Sequence, residues 1–183
     1  MTKTIGTEHK KVVDFYRKNA DVFSFKGNIG SMKYAFTEIA EAVDARMRSE
    51  NPDDLRRTVK ETDYNAEIGD TMFMLLASIG IDGYAHETFM RHICPYYGRN
   101  INDDIELPNT HSIEEQEGVD AAISRAGECI ASAMREDPET VRFSVKLANA
   151  LGSFDWSGDR LDRTIEKLQA RCDFKRLELV AAG

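Results

Sequence analysis

The sequence predicts an all-α helical bundle, and three observations carry that prediction. Only 4 prolines and 12 glycines interrupt the 183 residues. Runs in which β-branched and polar residues alternate, the mark of half-buried strands, are missing. Apolar residues instead return at steps of three and four, which places them on one face of an α-helix. With 42% hydrophobic and 31% charged residues the chain can bury a core. Its length suits one medium domain or two small helical halves.

Taken in order, residues 8–19 read as a short first helix. Gly27-Asn28-Ile29-Gly30 reads as a turn, with Ser31 placed to cap the next helix. Met32, Ala35, Phe36, Ile39, Ala40, Val43 and Met47 then form the apolar stripe of a helix of about five turns. Asn51-Pro52 ends it and opens a short polar helix over 53–60, Pro52 sitting at a tolerated first position. A second strong helix covers about 63–79, with Tyr64, Ile68, Met72, Leu75, Leu76 and Ile79 as its stripe. Gly80 stops it, and Asp82 can cap a further helix to about 93. Residues 94–110, with Pro95, Gly98, Pro108 and a polar run at 100–104, look like a connection. Ser112 and Glu115 form a capping box that opens a helix to about 135. Asp137-Pro138 begins the next, through 151, and a last helix covers about 157–173. The tail, 179–183, has nothing to anchor it.

Composition removes several function classes. Acidic residues outnumber basic ones 32 to 24, a net charge of −8. Phosphate-coated partners are repelled on average, so neither a general nucleic-acid binder nor a membrane-surface protein is expected. The richest apolar run, 72–81, falls short of the roughly 18 residues that span a bilayer, and residues 1–11 lack the apolar core of a signal peptide. Cys94, Cys129 and Cys172 are far apart and form no CxxC pair, which points to buried or idle thiols in a reducing cytoplasm. His86, His92 and His111 share no ligand spacing and read as solvent or cap residues, as does His9 in a first helix that can fray.

The carboxylates carry the chemistry. Glu38 and Glu41 lie three residues apart in the best amphipathic helix, on one side and flanking its apolar stripe. Glu67 and Asp70 repeat the arrangement in the second strong helix. If the two stripes pack face to face, the four acids converge at the edge of the core. Two like charges 4 Å apart repel by about 1 kcal/mol in water and about 4 kcal/mol at an effective dielectric near 20, so a bound divalent metal, protonation or basic partners must offset them. The positions four residues after Glu38 and Glu41 are Ala42 and Ala45, so neither acid has a helical ion-pair partner there. Oxygen ligands without cysteine or histidine suit Mg²⁺ or Mn²⁺. No glutamate has a histidine three residues on, which argues against a ferritin-like di-iron centre.

Glu38-Ile-Ala-Glu41, a variable gap, then Glu67-Ile-Gly-Asp70-Thr-Met-Phe-Met-Leu-Leu-Ala and Gly80-Ile-Asp82 resemble the all-α NTP pyrophosphohydrolases of the MazG type. That superfamily also holds dimeric dUTPases, dCTP pyrophosphatases and phosphoribosyl-ATP pyrophosphohydrolase. The resemblance spans about 29–91. It implies a helical bundle that hydrolyses a nucleoside triphosphate, or a related nucleotide, to monophosphate and pyrophosphate. Glu38, Glu41, Glu67 and Asp70 would hold Mg²⁺, with Glu41 as the base that takes the water's proton. Lys33 and Arg91 are the candidate phosphate-binding residues, although both depart from the usual register.

The resemblance also divides the chain into a catalytic half, 1–105, and a second helical half, 106–183. Glu128, Met134 and Arg135 match Glu41, Met47 and Arg48 at an offset of 87, as an eroded second copy would, with Arg125 standing where Glu38 would be; an unrelated helical extension is the alternative. The family completes its site by dimerising or by pairing tandem halves, so a homodimer or a tandem pseudo-dimer is expected. Phe154 and Trp156 read as core residues, with stacking on a base as the alternative. The rival function, favoured by the poor basic cluster near 88–92, is a non-catalytic helical protein for assembly or nucleotide sensing.

Overall fold

In the computed structural model, which describes residues 2–50, 64–108 and 111–182, the secondary structure is helical and no strand forms among the described residues. The helices are α1 (Ile5–Lys18), α2 (Gly27–Glu50), α3 (Tyr64–Ala77), α4 (Gly83–Tyr96), α5 (Ile113–Glu117), α6 (Val119–Ala133), α7 (Val141–Leu151) and α8 (Arg160–Ala181). The polar helix expected over 53–60 lies outside the described residues. None of these helices is long and apolar enough to cross a membrane.

α3 is the axis of the fold. Ile68, Thr71, Met72, Phe73, Leu75 and Leu76 are buried on several sides of it, because α1, α2, α7 and α8 all pack on it. α2 and α3 form one helical hairpin, and α6 and α7 form another. α2 also crosses α6, while α4 packs on α7. One hydrophobic core runs from Ile5 to Cys172 and draws on both sides of residue 105. The three cysteines are free and buried.

Several helix ends follow the sequence. Asp82 accepts a hydrogen bond from Ala85 N at 2.7 Å, and Ser112 accepts one from Glu115 N at 3.2 Å. Each satisfies a first-turn donor that would otherwise lack a partner. Gly80 adopts φ +110°, a conformation that L side chains rarely take, and turns the chain from α3 into α4.

Other expectations need correction. Gly27 to Gly30 are the first turn of α2 rather than a turn before it. Asn28 anchors that turn by donating to Ser78 O and Ile79 O at 3.0 and 3.1 Å, so Ser31 is an interior helical residue and not a cap. The apolar stripe of α2 is wider than the face it buries. Met32, Ala35, Ile39, Ala42 and Ala45 are buried, whereas Phe36, Val43 and Met47 are exposed. Two helices, α3 and α6, approach α2, and alanine lets backbones come closer than phenylalanine or methionine would. The helix expected from Ser112 to 135 breaks at Gly118, whose φ of +94° ends α5 and starts α6. α7 begins at Val141, capped by Thr140, rather than at Asp137. The last helix runs past 173: α8 continues to Ala181, with Leu179 and Val180 exposed on its last turn.

His9 is also not a solvent residue. It is 3% exposed, its Nε2 lies 2.6 Å from Gly80 O, and its ring stacks on His86 at 4.9 Å. Burial pushes its pKa down to about 4. The Nε2–H therefore donates to Gly80 O and ties α1 to the α3–α4 turn. Phe154 and Trp156 are buried in the core, and the Trp156 indole donates to Leu151 O at 2.8 Å.

Candidate functional site

The α2–α3 hairpin brings three of the four expected acids together. Glu38, Glu67 and Asp70 each offer one carboxylate oxygen, and those oxygens all lie within 4.8 Å of one another. Helical geometry explains the set. Glu38 lies three residues after buried Ala35 and four before buried Ala42, so it leans toward α3. Glu67 and Asp70 stand one turn apart on the matching side of α3. Glu41, one turn further along α2, is exposed and outside this group.

Glu38 has no hydrogen bond or ion pair among the described residues. Burial, then the negative charges of Asp70, Glu41 and Glu67, push its pKa up to about 7, with Lys167 acting in the opposite direction. A half-buried carboxyl without a donor, beside two further carboxylates, could hold a divalent cation that prefers oxygen ligands.

α8 supplies what the hairpin lacks. Thr164 Oγ1 donates to Asp70 Oδ1 at 2.8 Å, and the Lys167 ammonium bonds Asp70 Oδ2. The close approach depends on Gly69. A β-carbon at that position would lie 2.7 Å from both Arg160 O and Thr164 Oγ1. Only glycine lets the α8 backbone come close enough for these side chains to reach Asp70.

Beside the carboxylates opens a cleft of about 350 Å³. Glu38 and Asp70 are among the residues that line it. Arg171, Lys175 and Lys26 contribute cations, and Tyr16, Phe23, Tyr34 and Phe73 contribute aromatic walls. Thr164, Lys167, Arg171 and Lys175 are spaced three and four residues apart and so share one face of α8. Lys175 also donates to Val22 O at 3.2 Å, and Lys26 to Ser24 Oγ at 2.7 Å.

Neither Lys33 nor Arg91, the phosphate-binding residues expected from the sequence, lines this cleft. Lys33 is exposed on α2 and does not line the cleft. Arg91 is exposed on α4 and paired with Glu87 at 2.6 Å, on a helix that packs against α7 rather than α2 or α3. The basic residues at the cleft come instead from α8 and from the segment before α2. Their three-and-four spacing on α8 is visible in the sequence. Nothing local links that spacing to Asp70.

Searches with this chain returned no matching family model, no matching curated protein and no matching solved structure.

Proposed function

We propose that this chain is a Mg²⁺- or Mn²⁺-dependent nucleotide pyrophosphohydrolase of the MazG-like type, cleaving a nucleoside triphosphate or related nucleotide to monophosphate and pyrophosphate. The observation that carries the reading is the convergence of Glu38, Glu67 and Asp70 beside a cleft that Glu38 and Asp70 line together with cationic and aromatic side chains. A polyphosphate needs cations, a base suits aromatic faces, and a divalent ion suits the acids.

In this reading Glu38, Glu67 and Asp70 hold the cation. Bound there, it would neutralise phosphate charge and lower the pKa of a water molecule. Lys26, Arg171 and Lys175 hold the polyphosphate, and Phe23 and Tyr34 flank the base. Thr164 keeps Asp70 oriented through its hydrogen bond. Glu41 lies outside the cation-holding group and near enough to act electrostatically on Glu38, so it remains free to accept the water's proton. The water oxygen bonds to phosphorus, the α–β anhydride bond breaks, and pyrophosphate leaves. Because α8 completes the cleft within one chain, in the manner of a tandem pseudo-dimer, the reading does not require a homodimer.

One observation favours the rival, a non-catalytic nucleotide sensor or assembly protein. The Lys167–Asp70 ion pair offsets carboxylate repulsion without a metal. The deciding experiment measures pyrophosphate and orthophosphate release from the eight common NTPs and dNTPs with Mg²⁺, Mn²⁺ or EDTA. Metal-dependent pyrophosphate release is the expected result. Silence on this panel and on modified nucleotides rejects the enzyme, and unchanged melting with Mg²⁺ and nucleotide rejects binding too, since a ligand at 100 times its Kd adds about 2.7 kcal/mol.

A further inference from the structure

The ammonium of Lys167 bonds directly to an oxygen of Asp70, one of the three acids that converge between α2 and α3. Asp70 is only 15% exposed and Lys167 30%, so solvent screens the contact weakly. A divalent ion held by the same three carboxylates would stand beside that ammonium, and two cations at such a distance repel. The ion therefore weakens the hold of Asp70 on the ammonium.

The two donors to Asp70 differ in their freedom. Thr164 is short, buried and fixed by the close packing of α8 on Gly69. Lys167 carries its charge on a flexible four-carbon stem and can move it without moving the helix. Arg163, one turn earlier, is held by Asp159 at 2.9 Å. One and two turns further along, Arg171 and Lys175 already line the cleft. Lys167 itself lines a smaller neighbouring cavity with Arg160, Arg163 and Thr164. Its face of α8 continues into the cleft through Arg171 and Lys175, so a swing of its stem along that face carries the ammonium toward an anion held there.

We propose that Lys167 is a built-in counter-ion of the carboxylate group, released from Asp70 when a divalent cation binds and received by the polyphosphate of the substrate, so that metal and polyphosphate bind cooperatively. This rests on reading the cleft as a metal–nucleotide site. The same side chain opposes the metal when it binds alone and assists the anion when it arrives with metal. By linkage, each ligand then raises the affinity of the other by the same factor.

The test is Mn²⁺ binding, followed by electron paramagnetic resonance or calorimetry, with and without pyrophosphate, for the wild type, Lys167→Met and Lys167→Arg. Lys167→Met keeps the apolar stem and removes the charge, and circular dichroism checks that helicity is retained. The expected result is Mn²⁺ binding alone that tightens about tenfold in Lys167→Met, together with weaker binding of pyrophosphate in the presence of Mn²⁺. Lys167→Arg keeps a charge at this position and should stay near the wild type in both assays, which also separates loss of charge from loss of packing. Mn²⁺ affinity that is unchanged or weaker in Lys167→Met overturns the counter-ion role while leaving the metal site standing. Tighter Mn²⁺ with unaltered pyrophosphate binding overturns the transfer to phosphate. Absence of saturable Mn²⁺ binding in all three proteins, with or without pyrophosphate, overturns the proposal and the metal–nucleotide reading together.

Discussion

The two helical hairpins pack alike and differ in chemistry. α2 pairs with α3 and α6 with α7, α2 crosses α6, and α3 touches α7. The helix after each hairpin packs on the other one: α4 on α7, and α8 on α3. Exchanging α2, α3 and α4 with α6, α7 and α8 maps this contact pattern onto itself. Small residues make the central crossing, where a β-carbon at Gly127 would lie 3.7 Å from Ile39 Cγ2.

The first hairpin nevertheless gathers Glu38, Glu67 and Asp70, while the second has Arg125 at the position that matches Glu38. Arg125 sits 3.8 Å from Glu128, its exposed neighbour one turn on, and lines a separate cavity of about 450 Å³. The metal-capable group found among the described residues belongs to the first hairpin. Packing tolerates many residues of similar size, so hairpins with different side chains can make the same helix contacts. A carboxylate cluster needs every member in register, and one reversed charge removes it.

The largest expected effect separates the two glutamates that match across the hairpins. Glu41→Gln should lower metal-dependent pyrophosphate release by about 100-fold or more, while Glu128→Gln should leave it unchanged. Equal losses in both would show that the second half shares the chemistry. Helicity by circular dichroism should stay near the wild-type value in each.

Next come the two glycines. Gly69→Ala should destabilise the fold by about 1–3 kcal/mol in chemical unfolding, because its β-carbon meets α8 backbone that cannot yield locally. Gly127→Ala meets ordinary contact distance and exchanges a poor helix former for a good one. It should be neutral or stabilise by up to about 1 kcal/mol. Equal destabilisation by both would remove the special role given to the α3–α8 contact.

The smallest effect is in pH. Glu38 holds its proton to about pH 7 in the folded chain against an ordinary value of 4.5. Without metal, the stability this gives is full below pH 4.5 and is lost as pH rises through 7. Glu38→Gln should therefore melt higher than the wild type at pH 8 and differ less at pH 5. His9 acts in the opposite sense. Its pKa falls from 6.5 to about 4, so its contribution is present above pH 6.5 and is lost as pH falls toward 4. His9→Gln should flatten that acid limb. Melting curves from pH 4 to 8 without divalent ions check both.

The convergence of Glu38, Glu67 and Asp70 is legible in the sequence because each pair is three residues apart beside an apolar stripe, and two such stripes bury best against each other. The buried face of α2 is less legible. Its apolar residues cover more than one face, and periodicity alone does not distinguish Ala42, which is buried, from Val43, which is exposed. The cationic wall is not legible at all. Lys33 and Arg91 are near the acids in sequence and absent from the cleft, whereas Lys167, Arg171 and Lys175 reach the site from about a hundred residues away.

By itself the sequence determined helical character, the spacing of the acids within each helix and the caps at Asp82 and Ser112, because these depend on residues a few positions apart. Tertiary structure decided which flank of α2 is buried, that His9 is a core residue, and that α8 brings a cationic face against Asp70. Those outcomes turn on how closely two distant backbones can approach, at Gly69 against Arg160 above all, and no local pattern encodes that distance.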